Sequence, residues 1–103
     1  MSYVSGGVGQ DESTALERMR SHWPLSMQFI GPSSDFLADI HVRIVDAHNK
    51  EVLHADSQGP FMLVKLRPGQ YTVHATYKNR DQTKTVSVSS NGATRAAFYW
   101  NVE

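Results

Sequence analysis

Residues Gly59 to Tyr77 read GPFMLVKLRPGQYTVHATY, and this stretch decides the fold class. Two apolar runs, Phe61 to Leu66 and Gln70 to Tyr77, flank Arg67-Pro68-Gly69. Proline presets φ for the first corner of a tight turn, and glycine accepts the positive φ that a second corner can require. Beyond the turn, Tyr71, Val73, Ala75 and Tyr77 share one face, with Thr72, His74 and Thr76 on the other. Period-two alternation of this kind marks a half-buried antiparallel strand.

Toward the N-terminus the same pattern recurs. In Leu37 to Asp46, Ile40, Val42 and Ile44 point one way and His41, Arg43 and Val45 the other. His48-Asn49-Lys50 is a short hairpin connection into a strand over Glu51 to Ala55. Leu25 to Ile30 is the first strand, closed by the turn signal of Gly31 to Asp35. Toward the C-terminus, a polar turn at Lys78 to Asp81 leads to a strand over Gln82 to Val88. A corner at Ser89 to Gly92 then leads to a last strand over Thr94 to Trp100. About seven strands, with turn signals roughly every 8–12 residues, predict an all-β sandwich. Its predicted inner face collects Ile40, Val42, Ile44, Val64, Leu66, Tyr71, Val73, Ala75, Val86, Val88, Phe98 and Trp100.

Upstream of the strands, residues 1–10 hold three glycines and two serines and read as a flexible lead-in to a single domain over 11–103. Asp11 is the expected cap of a short amphipathic helix over Glu12 to His22, stopped by Pro24. Its Leu16/Met19 stripe is expected to dock on the sheet, with Glu17, Arg18 and Arg20 facing outward.

The 103 residues have room for one domain and one core. Ten basic and ten acidic side chains cancel, which leaves no electrostatic footprint for nucleic acid or an anionic membrane. No apolar run approaches the ~20 residues of a membrane-spanning helix. The absence of cysteine removes disulfides, thiolate metal sites and cysteine nucleophiles together. No basic segment followed by an apolar stretch opens the chain, and the loose SYVSGGVGQ after Met1 reads as a start placed on a mature chain, so an export signal is expected to have been removed.

The run Leu66-Arg67-Pro68-Gly69-Gln70-Tyr71-Thr72-Val73, preceded by Ile44-Val45-Asp46-Ala47 and Glu51-Val52-Leu53, carries a family resemblance. Over Leu37 to Trp100 the chain resembles the carboxypeptidase regulatory-like domains and the wider prealbumin-like (transthyretin-like) sandwiches. The resemblance implies a Greek-key β-sandwich. With its glycine-rich lead-in and helix, the chain also looks like small secreted proteobacterial proteins that have no assigned activity. The superfamily hosts adhesin stalks, regulatory appendages, carbohydrate-binding modules and one hydrolase branch, so the motif speaks for fold more than function. The hydrolase branch, the hydroxyisourate hydrolases, resembles itself in a terminal Tyr-Arg-Gly-Ser, which Tyr99-Trp100-Asn101-Val102-Glu103 does not match.

Three histidines are the strongest chemical candidates. His41 and His74 fall on the polar faces of their strands, with His54 in the neighbouring hairpin. Together with Asp39 or Asp56 they have the donor set for zinc or copper, although no short HxH or HxxxH spacing supports it. No serine lies in a Gly-x-Ser-x-Gly elbow, and the aspartates Asp35, Asp39, Asp46 and Asp56 lie in or beside turns with no Asp-x-Asp-x-Asp spacing. Phe61, Leu63 and Tyr99 have the outer-face parity: either the helix covers them or they form a contact patch, and the helix is the preferred reading. The expectation is a non-enzymatic binding or interaction module of the bacterial cell envelope, periplasmic or secreted, without a cofactor. Its partner would be a protein or a carbohydrate, or a second copy joined through an edge strand. The alternative is a small metal-binding protein or hydrolase that uses His41, His54 and His74.

Overall fold

In the computed structural model, residues 2–7, 10–31, 37 and 39–100 are described, without the side chains of residues 10, 12 and 13. The turn expected over Pro32 to Asp35 lies outside them. Among the described residues the elements are β1 (Ser2–Gly6), α1 (Gln10–Met19) with a 3-10 turn (Arg20–His22), β2 (Leu25–Ile30), β3 (Ile40–Asp46), β4 (Glu51–Ser57), β5 (Phe61–Lys65), β6 (Gly69–Tyr77), β7 (Arg80–Val88) and β8 (Thr94–Tyr99). They build two four-stranded sheets, ordered β1-β5-β2-β8 and β4-β3-β6-β7. Every pairing is antiparallel except β2 with β8. The fold class is therefore all-β, with one short helix.

Alternation in the strands builds the core. Ile40, Val42 and Ile44 of β3, Val73 and Ala75 of β6, and Met62 and Val64 of β5 are all fully buried between the sheets. Burying each such large apolar side chain stabilises the fold by about 1.5–3 kcal/mol, so these inner faces dominate the energetics. Phe29, Phe98 and Trp100 meet at centroid distances of 5.7–6.1 Å, and Tyr77 sets its edge on Trp100 at 5.9 Å. Trp100 Nε1 donates to the Arg80 carbonyl at 2.9 Å and Thr94 Oγ1 to the Ser87 carbonyl at 2.7 Å, which ties β8 to β7 and closes that side of the sandwich.

The hairpins follow from side-chain and backbone chemistry at their corners. Lys78 and Asn79 both have positive φ, 49° and 64°, as the two-residue type I′ turn requires, so β7 begins at Arg80, opposite Tyr77. In the β3–β4 turn, Asp46 Oδ1 accepts from the backbone N–H groups of His48 and Lys50, both at 2.9 Å. These two bonds, that of Lys50 foremost, hold the Asp46 carboxyl below the usual aspartate range.

Three expectations are corrected. Ser2–Gly6 is an eighth strand rather than a flexible lead-in, paired antiparallel with β5 from Ser2↔Lys65 to Gly6↔Phe61. The capture is tertiary: the backbone at Gly6 passes so close to Gly59 that a Cβ there would lie 2.4 Å from the Gly6 carbonyl oxygen, and the Gln58 N–H donates to Ser5 Oγ at 3.1 Å. The helix begins at Gln10, which puts Asp11 in its first turn instead of at its cap.

The docking stripe also differs. Leu16 is buried against Phe61 and Leu63, with Val4 and Trp23 beside them, whereas Met19 is exposed and Arg20 is buried. Arg20 lies four residues beyond Leu16 and so shares its face. Its guanidinium stacks 5.7 Å from the Phe61 centroid, donates through Nε to Ser26 Oγ at 3.1 Å and through Nη1 to Glu17 at 3.2 Å. Trp23, just before Pro24, is extended (φ −114°, ψ 138°), which is where the helical segment stops.

Candidate binding face

The outer faces of the two sheets differ in kind. On β1-β5-β2-β8, helix α1 and Trp23 cover Phe61 (4% exposed) and Leu63 (0%). Neither residue is available to a partner, because covering them removes apolar area that the sheet would otherwise leave in water. Of the three residues expected on a contact patch, Tyr99 alone is exposed, at 63%. Its carbonyl accepts a hydrogen bond from Gln82 Nε2.

Among the described residues nothing covers the outer face of β4-β3-β6-β7, and register brings the polar residues of four strands into two rows. His54, Arg43, His74 and Thr83 stand side by side across β4, β3, β6 and β7. The next row is Asp56, His41, Thr76 and Asp81. Seven of these residues line a shallow depression of about 290 Å³, with Asp56 at its β4 side on His41.

Each row is knit by cross-strand bonds. His41 Nδ1 donates to Asp56 Oδ1 at 2.5 Å. Thr76 Oγ1 donates to Asp81 Oδ1 at 2.7 Å, and His74 Nδ1 shares a 3.2 Å hydrogen bond with Thr83 Oγ1. Arg43 turns toward the start of β4, where its Nε donates to Glu51 at 3.1 Å. The result is a flat array of donors and acceptors with the charges of both signs interspersed.

The three strand histidines therefore share one face and one depression, as the alternation of His41 and His74 suggested. They do not converge on a point. His54 and His74 flank Arg43, and strands lie about 4.8 Å apart, so the two imidazoles are rooted roughly 10 Å from each other with a cation between them. Among the described residues no three His, Asp or Glu side chains are placed to hold a metal ion. Asp39 is exposed, with φ 59°, just before β3.

The Asp56–His41 pair has the form of a general base with its orienting acid, but its side chains are 62% and 49% exposed for His41 and Asp56 respectively. Thr76 is the hydroxyl opposite His41, and its proton is committed to Asp81. His22 lies at the end of the 3-10 turn, and His48 lies in the β3–β4 turn; both are remote from the array. Arg43, Thr76, Asp81 and Thr83 were not singled out by sequence reasoning. The signal for the first two is their shared parity with His41 and His74. Asp81 and Thr83 become visible only once β7 is paired with β6 in register.

No protein-family model matches the chain, and no curated protein matches it. Among the described residues no helix is long and apolar enough to cross a membrane.

Proposed function

We propose that the chain is a non-enzymatic binding module of the bacterial cell envelope, a prealbumin-like Greek-key sandwich that engages a protein or carbohydrate partner through the outer face of β4-β3-β6-β7. One observation carries this reading. Two in-register rows of hydrogen-bonding side chains, uncovered among the described residues, line a depression of about 290 Å³, on a sandwich whose other outer face has its apolar residues Phe61 and Leu63 covered by its own helix. A flat array of fixed donors and acceptors matches a hydroxyl- or amide-bearing surface better than it matches a reacting small molecule.

The Greek-key reading is supported by the chain path. The β3–β4 and β6–β7 hairpins lie together in one sheet while β5, between them in sequence, pairs in the other. The Leu66 to Val73 motif sits at the crossing from β5 back to β6. Export to the envelope rests on the family resemblance. The non-enzymatic reading is supported by the openness of Asp56–His41 and the engaged Thr76 hydroxyl, since general bases and their nucleophiles work best where water is excluded. β4 ends its sheet, so its outer main-chain groups are also the natural route to a homodimer.

The test is retention of the full chain on isolated envelope polysaccharide and on solubilised envelope proteins, against the triple variant His54→Ala, His74→Ala, Thr83→Ala. The variant is expected to bind roughly tenfold more weakly to one of the two, with its thermal unfolding unchanged. Equal retention of both proteins sinks the reading. Stoichiometric zinc or copper by elemental mass spectrometry, or ester hydrolysis lost in His41→Ala, would replace it with the histidine-based metal or hydrolase alternative.

A further inference from the structure

A second depression lies where the β3–β4 hairpin meets the β5–β6 turn, and it shares no residue with the histidine-bearing face. Its volume is about 320 Å³. Val52, Leu66 and Tyr71 supply an apolar lining between the two sheets. The Tyr71 hydroxyl donates to the Arg67 carbonyl at 2.7 Å, which holds the β5–β6 turn as one wall.

The charges at this site are unequal. Lys50 comes from the hairpin side and Arg67 from the turn side, both exposed. Lys65 also borders the depression, but its ammonium lies over the Trp23 ring at 5.2 Å, so it serves the other face of the molecule. Asp46 is the acidic neighbour, and its Oδ1 is already occupied by two backbone N–H groups of its own turn. Two long cationic side chains therefore border the depression from opposite elements, beside one carboxylate, Asp46, whose Oδ1 is held by the backbone of its own turn.

We infer that this cavity is a binding site for a small apolar acid, a single carboxylate carried on an aromatic or short aliphatic body. The volume suits such a ligand: a cavity of about 150 Å³ holds benzene, so roughly twice that accommodates a ring together with its carboxylate. The body would rest on Val52, Leu66 and the Tyr71 ring, and the carboxylate would lie between Lys50 and Arg67, with Arg67 able to bind it in two-pronged fashion. The lining sets three residues with apolar bodies, Val52, Leu66 and Tyr71, beside four charged ones, so a ligand that fits it carries both an apolar body and a charge.

The experiment is a two-dimensional ¹H–¹⁵N NMR titration of the full chain with phenylacetate. Benzyl alcohol tests the body without the charge, and inorganic phosphate the charge without the body. Phenylacetate is expected to shift the amides of Lys50, Val52, Leu66 and Tyr71 saturably, and both controls to bind several-fold more weakly. Lys50→Gln with Arg67→Gln is expected to weaken phenylacetate roughly tenfold or more, because each contact is charge-assisted. A linear, unsaturable response, a shift map centred on other residues, phosphate binding as tightly as phenylacetate, or an unchanged affinity in the double variant would each overturn the assignment. The triple variant of the histidine face is expected to bind phenylacetate like the parent, which separates this site from the proposed partner face.

Discussion

The two outer faces of this sandwich begin from the same strand geometry and end differently. On β1-β5-β2-β8 the outward positions of β5 are Phe61 and Leu63, and the chain folds its own helix over them. On β4-β3-β6-β7 the outward positions are histidine, arginine, threonine and aspartate, and among the described residues nothing covers them. Both sheets bury apolar residues inward, so the inner faces do not distinguish them. The outward residue of each strand decides whether a sheet must find a cover or is free to present a surface. An apolar outer face left in water loses about 25 cal/mol for each Å² it fails to bury, whereas a polar face loses almost nothing by staying wet.

The covered face can be broken from either side, and the largest effect is expected at Phe61. Truncation to alanine removes the ring on which both Leu16 and Arg20 rest, and destabilisation of about 3–5 kcal/mol is expected by chemical denaturation. Hydrogen exchange should show helix α1 losing protection in this variant before β3 and β6 do.

Arg20→Ala comes next. Ser26 is fully buried and takes its hydrogen bond from Arg20, so the variant strands a hydroxyl and uncovers part of the Phe61 ring. About 1–3 kcal/mol should be lost, and Arg20→Ala combined with Ser26→Ala should recover part of it. If the double variant is no better than the single, Arg20 acts by packing alone.

Asp46→Asn probes the hairpin that carries β3 and β4 into the open face. Its backbone hydrogen bonds place the native carboxyl below the usual aspartate range, so the stability it contributes is present above the unfolded pKa and is lost as pH falls through the folded value. The parent should therefore be the more stable protein at neutral pH, and the difference between the two should close as pH falls through the lowered folded-state pKa of Asp46. A difference that stays constant down the acid range would assign the effect to turn geometry instead of charge.

The smallest effects belong to the open face. His54→Ala and Thr83→Ala, singly, are expected to change stability by no more than about 0.5 kcal/mol, since exposed strand positions carry little of the fold. A loss comparable to that of Phe61→Ala at either position would mean that this face, too, is structural, and the contrast between the two sheets would fail.

Much of this was legible in the residues themselves. Alternation placed Ile40, Val42, Ile44, Val73 and Ala75 on the inner face, and all are fully buried; Pro24 stopped the helix where the structure stops it. These readings succeed because strand parity and proline sterics are local, set by a residue and its immediate neighbours. Parity alone left Phe61 and Leu63 with two outcomes, a cover or a contact patch, and the docking of α1 chose between them.

What only the tertiary structure decided depends on residues far apart in sequence. Ser2–Gly6 has no strand signature, and becomes β1 because β5 offers an unpaired edge and Gly59 lets the backbone approach. Arg20 reads as a surface residue and is buried, because Ser26 and the Phe61 ring meet it across the helix–sheet contact. The histidines were visible as outward residues of separate strands. Their alignment with Arg43, Thr76, Asp81 and Thr83 follows from pairing β3 with β6 although β4 and β5 lie between them in the chain, and strand register is a property of the assembled sheet that no single stretch of chain contains.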